Sequence, residues 1–435
     1  MSSLEIGYSS IGFLLVLVAL RVPLAIALLL PSFLGIWAMV NWRAAWSLAT
    51  SAPFEIAANW TLSAVPMFLF MGFICFQGRL TDGLFRLSRA WMGNLPGGIG
   101  ISTIGGAALF SAITGSSVAC AAAMGRIAVP EMEKRKYNTD FAAAICAAGG
   151  TLGAMIPPSI LMIIYGTFAQ VPIGQLFLAG FIPGALSACG FIVTILVLVV
   201  LRPDICPDRG GKTDWRERMS SILETWPFLL LVLVVMGGMF TGFFSATEAG
   251  AIGAISSLAI ALVRRMMTWQ AFVNAALQTV VSTAAILLIT IGATLFTRLL
   301  ALSGIAQDLA DFAIRYADDP IWFVIGISVL FLILGMFLEP IGIMLLTLPL
   351  LLPVMVSMKI DLIWMGILVV KYLEIGMITP PVGMNLFVMK SVLGKSTTIE
   401  GMTRWVFWFI MADVVTMILL ISFPPIVTFL PNLMK

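Results

Sequence analysis

The chain has 435 residues, 60% hydrophobic and 10% charged, with a net charge of +3 and a mean hydropathy of +1.08. Soluble domains carry about 25% charged residues, so this composition excludes an ordinary soluble enzyme and points to a polytopic protein of the lipid bilayer. So small a charge gives no reason to expect a nucleic-acid partner, and the lack of histidine excludes histidine proton relays and most zinc chemistry.

The first residues, MSSLEIGYSSIGFLLVLVALR, lack a basic leader and a small-residue cleavage site, so they read as a first spanning helix. Crossings of about 20 apolar residues are expected near 4–20, 22–40, 62–78, 140–169, 174–201, 226–244, 246–263, 270–295, 361–393 and 403–430. Two further apolar regions, 98–130 and 320–357, are each long enough for two short helices, with breaks at Gly115-Ser116-Ser117 and Leu338-Glu339-Pro340. The polar stretch 202–225 reads as a loop, and no segment outside the membrane is long enough for a domain. Cys75, Cys120, Cys146, Cys189 and Cys206 form no metal-type pair and read mostly as small buried hydrophobes.

Basic residues mark the cytoplasmic side. They cluster at Arg79, Arg86 and Arg89; at Lys134, Arg135 and Lys136; at Arg202, Arg209, Lys212, Arg216 and Arg218; at Arg264 and Arg265; and at Lys390, Lys395 and Arg404. Both ends of 98–130 fall beside such clusters, so that region is expected to be a re-entrant hairpin from the cytoplasm. The loop 305–320 is acidic and is assigned outside, which makes 320–357 a hairpin from the opposite face. Both termini then lie outside.

Shifted by 223 residues, the two halves align without a gap. Pro130 meets Pro353, Met132 meets Met355, Gly153 meets Gly376, and Pro157-Pro158 meet Pro380-Pro381. Similar pattern with opposite sidedness predicts an inverted-topology repeat, whose discontinuous helices point to a secondary transporter's midplane site. The expected fold class is therefore an all-α polytopic membrane protein with two re-entrant hairpins and two discontinuous helices. Its expected parts are N-terminal scaffold helices (1–92), a first repeat (93–201), a cytoplasmic loop (202–225), scaffold helices with an outer amphipathic arm (226–315) and a second repeat (316–435).

The stretches GSSVACAAAMGRIAVPEM (115–132), GGTLGAMIPPSILMIIYG (149–166), SATEAGAIGA (245–254), GMFLEPIGIMLLTLPLLLPV (335–354) and ITPPVGMNLFVMKSV (378–392) carry a family resemblance. The chain resembles, over essentially its whole length, the large transmembrane subunit of TRAP (tripartite ATP-independent periplasmic) transporters. The resemblance implies an elevator-type transporter of the bacterial inner membrane driven by a sodium gradient. It also implies a small membrane subunit of about four helices and a periplasmic substrate-binding protein as partners, with an anionic small molecule as substrate. Na+ is then the coupling ion, with no organic cofactor, transition metal or catalytic residue.

Sodium takes oxygen ligands, as other hard cations do. Candidate cation ligands are Gly115, Ser116 and Ser117 at the first hairpin tip, Thr151 and Gly153 before the first double proline, Glu339 and Pro340 at the second tip, and Gly376 and Thr379 before the second double proline. The serines could instead bond their own turn, and Glu339 could pair with an arginine or face water. Proline lacks an N–H, so Pro157 and Pro158 free the carbonyls of Gly153 and Ala154. The broken helices could equally be kinks satisfied by neighbours. Candidate substrate contacts are Ser117, Pro157, Pro158 and Ser159, with Pro380, Pro381 and Asn385. The half-helix N-termini near Ser159 and Val382 offer positive dipole ends to an anion.

Other polar residues read as structural. Ser245 and Glu248 match a capping box. Lys371 and Glu374, three apart, are expected to pair on one helix face. Arg298 and Asp413 are a conceivable scaffold ion pair. Trp42, Trp46, Trp91, Trp215, Trp405 and Trp408 read as interfacial anchors. Three rivals remain open: a stand-alone sodium/divalent-anion symporter; an intramembrane enzyme, for which the sequence offers no evident catalytic set; and a passive assembly subunit.

Overall fold

The computed structural model describes residues 2–207, 214–316 and 320–433, with the backbone alone over 312–316. Arg209, Lys212 and residues 317–319 of the acidic loop lie outside the described residues. Every regular element among those described is helical.

The N-terminal helices are α1 (Ser3–Ala19), α2 (Leu24–Met39), α3 (Trp42–Ala57), α4 (Ala64–Gln77) and α5 (Asp82–Met92). The first hairpin is α6 (Gly98–Thr114) and α7 (Ser117–Lys134), followed by α8 (Thr139–Met155), α9 (Ile160–Ala169) and α10 (Ile173–Leu201). The middle of the chain forms α11 (Trp215–Phe240), α12 (Ala246–Val263), α13 (Trp269–Ser303) and α14 (Ile305–Tyr316). The second hairpin is α15 (Pro320–Gly335) and α16 (Pro340–Ser357), followed by α17 (Leu362–Ile378), α18 (Met384–Leu393), α19 (Ile399–Ser422) and α20 (Pro425–Asn432). Taken as one span, α8 with α9 is among seven helical stretches long and apolar enough to cross a membrane.

Local sequence explains the boundaries. Ser245 and Glu248 form the expected capping box at the start of α12, and Ser2 and Glu5 form another at α1. α7 and α16 have bounds 223 residues apart, as do α8 and α17. The turns joining them also agree. Lys136 and Lys359 adopt left-handed φ of 63° and 56°. The N–H of Tyr137 donates to Met132 O at 3.1 Å, and that of Ile360 to Met355 O at 2.9 Å. Asn138 and Asp361 then accept backbone N–H groups at the helix starts.

The core sits on α8 and α17. Every residue from Phe141 to Met155 and from Met365 to Ile378 is buried. α8 is rich in alanine and glycine, and small residues let backbones approach closely in the absence of a strong hydrophobic drive between membrane helices. It packs against α6, α7, α10, α17, α18 and α19. Around this core, α13 lies on α2, α3, α4 and α16, and α11 on α5 and α12. The outer helices turn large apolar side chains outward, including Leu233, Val281, Ile333 and Val415.

Several expectations need correcting. Half of the segment read as loop is helical: α11 starts at Trp215. Two amphipathic helices, α3 and α5, went unforeseen, because a search for uninterrupted apolar runs passes over helices apolar on one face only. The last crossing ends at Ser422, before Pro424 and Pro425 start the short α20. Trp405 is buried against Phe141. Cys75, Cys120, Cys146 and Cys206 are buried, whereas Cys189 is exposed.

Candidate functional site

The first hairpin turns at Gly115, whose φ of 55° caps α6, and Ser116, whose side chain accepts the Ala119 N–H at 3.4 Å. The local reading of Ser116 is thus realised. Ser117 behaves differently. It is buried, and its hydroxyl lies 2.6 Å from both carboxylate oxygens of Glu374 on α17. This bond ties the tip of the first half to the broken helix of the second.

Lys371 does not pair with Glu374. Its ammonium bonds Asp413 on α19, both side chains being fully buried. Arg298 bonds Glu55 instead of Asp413. Helix spacing shows which residues share a face, whereas here the neighbouring helices supply the partners. Glu374 consequently forms no salt bridge among the described residues, and Ser117 is its hydrogen-bond partner.

The helix breaks differ in detail. At the first, the Ile156 N–H returns to Leu152 O at 2.9 Å, while Pro157 and Pro158 have no N–H for the carbonyls of Gly153 and Ala154. At the second, the Thr379 N–H takes Gly376 O at 3.1 Å, so that carbonyl already has a donor. Thr151 and Thr379 donate their hydroxyl protons to their own helices, to Ala148 O and Ile375 O. Gly153 is needed for close approach: a Cβ there would stand 2.7 Å from the Ser116 carbonyl. A Cβ on Gly376 would stand 2.5 Å from Gly335 Cα at the end of α15.

Pro157, Pro158 and Ser159 are buried, and Ser159 caps α9 through Met162 N–H. Pro380 is half-buried and Pro381 exposed. The second half-helix starts at Met384 with Gly383 as its cap, two residues beyond the expected Val382. Asn385 is fully buried and donates to Ala147 O at 3.1 Å, holding α18 against α8.

A cavity of about 150 Å³ joins the two halves. Gly115, Ser116 and Ser117 line it from one side, and Glu339, Pro340 and Glu374 from the other. Glu339, exposed and without a capping bond, starts α16. Of the anticipated residues, the structure brings these five tip residues together; Thr151, Gly153, the four prolines, Ser159, Gly376, Thr379 and Asn385 support the walls or lie behind them. Glu374 was missed as a site residue. Its signal was available, since it lies two residues before Gly376 in a buried helix whose other charged residue is Lys371. A second cavity of about 520 Å³ starts from the same tips at Thr114, Ser116 and Glu339 and runs between α7, α4 and α13. Such chambers, mostly apolar with a few converging polar groups, suit small ligands.

A family model described as the DctM component of the tripartite ATP-independent periplasmic transporter matches residues 11–426. The chain is 32% identical to the sialic acid TRAP transporter permease protein SiaT of Haemophilus influenzae, with 99% of this chain and 70% of that one covered. It is 33% identical to the sialic acid large permease protein SiaM of Vibrio cholerae, covering 86% and 87%. It is 34% identical to the C4-dicarboxylate large permease protein DctM of Pseudomonas aeruginosa, covering 87% and 88%. In fold, it resembles the Alcanivorax borkumensis YdaH transporter, with a TM-score of 0.63, 13% identity and 88% of each chain covered.

Proposed function

Because the chain belongs to the DctM component family of the tripartite ATP-independent periplasmic transporters, as a large permease subunit, we propose that it imports a small organic acid in symport with sodium. The proposed setting is the bacterial inner membrane, with a small membrane subunit and a periplasmic substrate-binding protein as partners. The relatives named above are named for sialic acid or C4-dicarboxylates, which share the carboxylate as a handle.

The observation that carries the reading is the tip cavity with Glu374. A buried carboxylate without a protein cation is costly, and an intramembrane acid is a functional-site hypothesis by default. Sodium arriving as co-substrate supplies the missing charge. Ser116, Ser117, Glu374 and the free carbonyls beside Gly153 offer it oxygen ligands. The substrate carboxylate then docks between the two tips, where bound sodium offsets its desolvation. Once both are held, the two hairpins and two broken helices, packed as one core, slide against the helices around α4 and α13. On this reading the halves are inverted repeats and both termini are periplasmic.

The test is uptake of sialic acid and of succinate into vesicles holding the complete three-part transporter. The expected result is uptake that collapses when the sodium gradient is removed at constant membrane potential. Uptake indifferent to sodium sinks the symport.

A further inference from the structure

The larger cavity holds a cation that the tip site does not use. Arg126 lies on α7, on the stripe Ala119, Ala122, Ala123 and Arg126 that faces the cavity. Its side chain is exposed, and no carboxylate among the described residues pairs with it. Across the crevice, α13 presents Gln278 and Ser282, one turn apart on the same lining. These two side chains have no hydrogen-bond partner among the described residues, although most other hydroxyls of α13 bond their own helix, as Thr279, Thr290 and Thr294 do. The remaining wall is largely apolar: Leu69, Phe73 and Phe76 of α4 and Ile286 and Ile289 of α13. A guanidinium, an amide and a hydroxyl therefore converge on an apolar chamber, the composition of an anion site.

Helix geometry separates this place from the tips. Arg126 lies ten residues after Ser116, a rise of about 15 Å along α7 at 1.5 Å per residue. The cavity is also polarised, with Glu339 at the tip end and Arg126 at the far end. An anion released beside a carboxylate is repelled there and attracted toward the guanidinium.

We propose that Arg126, with Gln278 and Ser282, forms a second anion station in the crevice between α7 and α13, which takes the carboxylate of the transported acid as it leaves the hairpin tips. This rests on the transport reading above and assigns to it a specific exit contact. The station has one half on the hairpin and the other on α13. Sliding of one against the other takes it apart, so it exists only while the crevice is open.

Phenylglyoxal modifies accessible, unpaired arginines, and peptide mass spectrometry can follow Arg126 in the intact transporter in nanodiscs. The measurement is made without sodium and without the binding protein, using succinate and N-acetylneuraminate as probes. The expected result is modification of Arg126 that at least one probe slows by about tenfold, the scale of a charge-assisted hydrogen-bond pair. The protection is expected to vanish in Gln278→Leu/Ser282→Ala. Failure to modify Arg126, equal rates with and without both acids, or protection that survives the double substitution would each overturn the station. In vesicles, Arg126→Gln is expected to raise the KM for exchange from the Arg126 side about tenfold with the sodium dependence unchanged. A fall in maximal rate at constant KM would contradict it. Because the protection needs no sodium, sodium-independent uptake would remove the symport and leave this result standing.

Discussion

The broken helices α8 and α17 occupy matching places, and their contents differ sharply. At positions 223 apart, α8 has Ala148 where α17 has Lys371, and Thr151 where α17 has Glu374. Gly190 of α10 matches Asp413 of α19, so the first half has no counterpart of the buried Lys371–Asp413 bond. The tips follow the same division: the first brings Ser116 and Ser117, the second Glu339 and Pro340. One backbone plan has thus been given hydroxyls in one half and buried charge in the other. Ser117 with Glu374 is where the two allotments meet. A site built this way needs both halves, and neither half's sequence contains it.

The comparison can be broken most forcefully at its charged end. Lys371→Met leaves Asp413 buried and alone, and should destabilise the chain by about 3–5 kcal/mol, whereas Lys371→Met/Asp413→Leu should recover most of that loss. Thermal unfolding in detergent checks both; a double variant as unstable as the single one would mean that the pair is more than mutual neutralisation. The junction comes next. Ser117→Ala removes the hydroxyl that satisfies Glu374 and should cost about 1.5–3 kcal/mol. It should weaken the sodium dependence of uptake more than Ser116→Ala does, because Ser116 serves its own turn. Equal effects would place the cation elsewhere in the tip.

Gly153→Ala and Gly376→Ala test whether the halves are alike in packing. Each drives a methyl against backbone, at Ser116 and at Gly335 respectively, and overpacking of this kind costs about 1–3 kcal/mol. Similar losses of uptake and of melting temperature are expected from both. The smallest effect belongs to Thr151→Val. Its hydroxyl bonds only Ala148 O on its own helix, so a change of about 0.5 kcal/mol with sodium affinity intact is expected. A marked fall in sodium affinity would return Thr151 to the cation site.

Much of this arrangement could be read in the residues, for definite reasons. Proline lacks a donor, so Pro157-Pro158 and Pro380-Pro381 announce breaks that no tertiary context can repair. The exact spacing between halves follows from shared local turns and caps, which are written in nearby residues. What failed depended on neighbours distant in sequence. Lys371 and Glu374 share a helix, yet one turns to α19 and the other to α7. Asn385, expected as a substrate contact from its place after a break, donates to Ala147 O, while its side-chain oxygen has no partner among the described residues. Helices α3 and α5 were hidden by their polar faces. Hydropathy and punctuation thus locate a cavity well, while the identity of the groups that face into it is decided by helix rotation and packing.

The turns at Lys136 and Lys359 have a bearing on how the chain is made. In each, a left-handed residue closes the end of the hairpin, and a cap two residues later starts the broken helix. These instructions lie within a few residues of one another, so each hairpin can be joined to its helix as it leaves the ribosome, in the order of synthesis. Burial of Glu374 under Ser117 cannot, because its partners are 257 residues apart. The first hairpin must therefore wait, with its tip uncovered, until nearly nine-tenths of the chain has been synthesised, about 374 residues of 435. Assembly of the binding cavity is for this reason a late event, and it reports that both halves have been inserted.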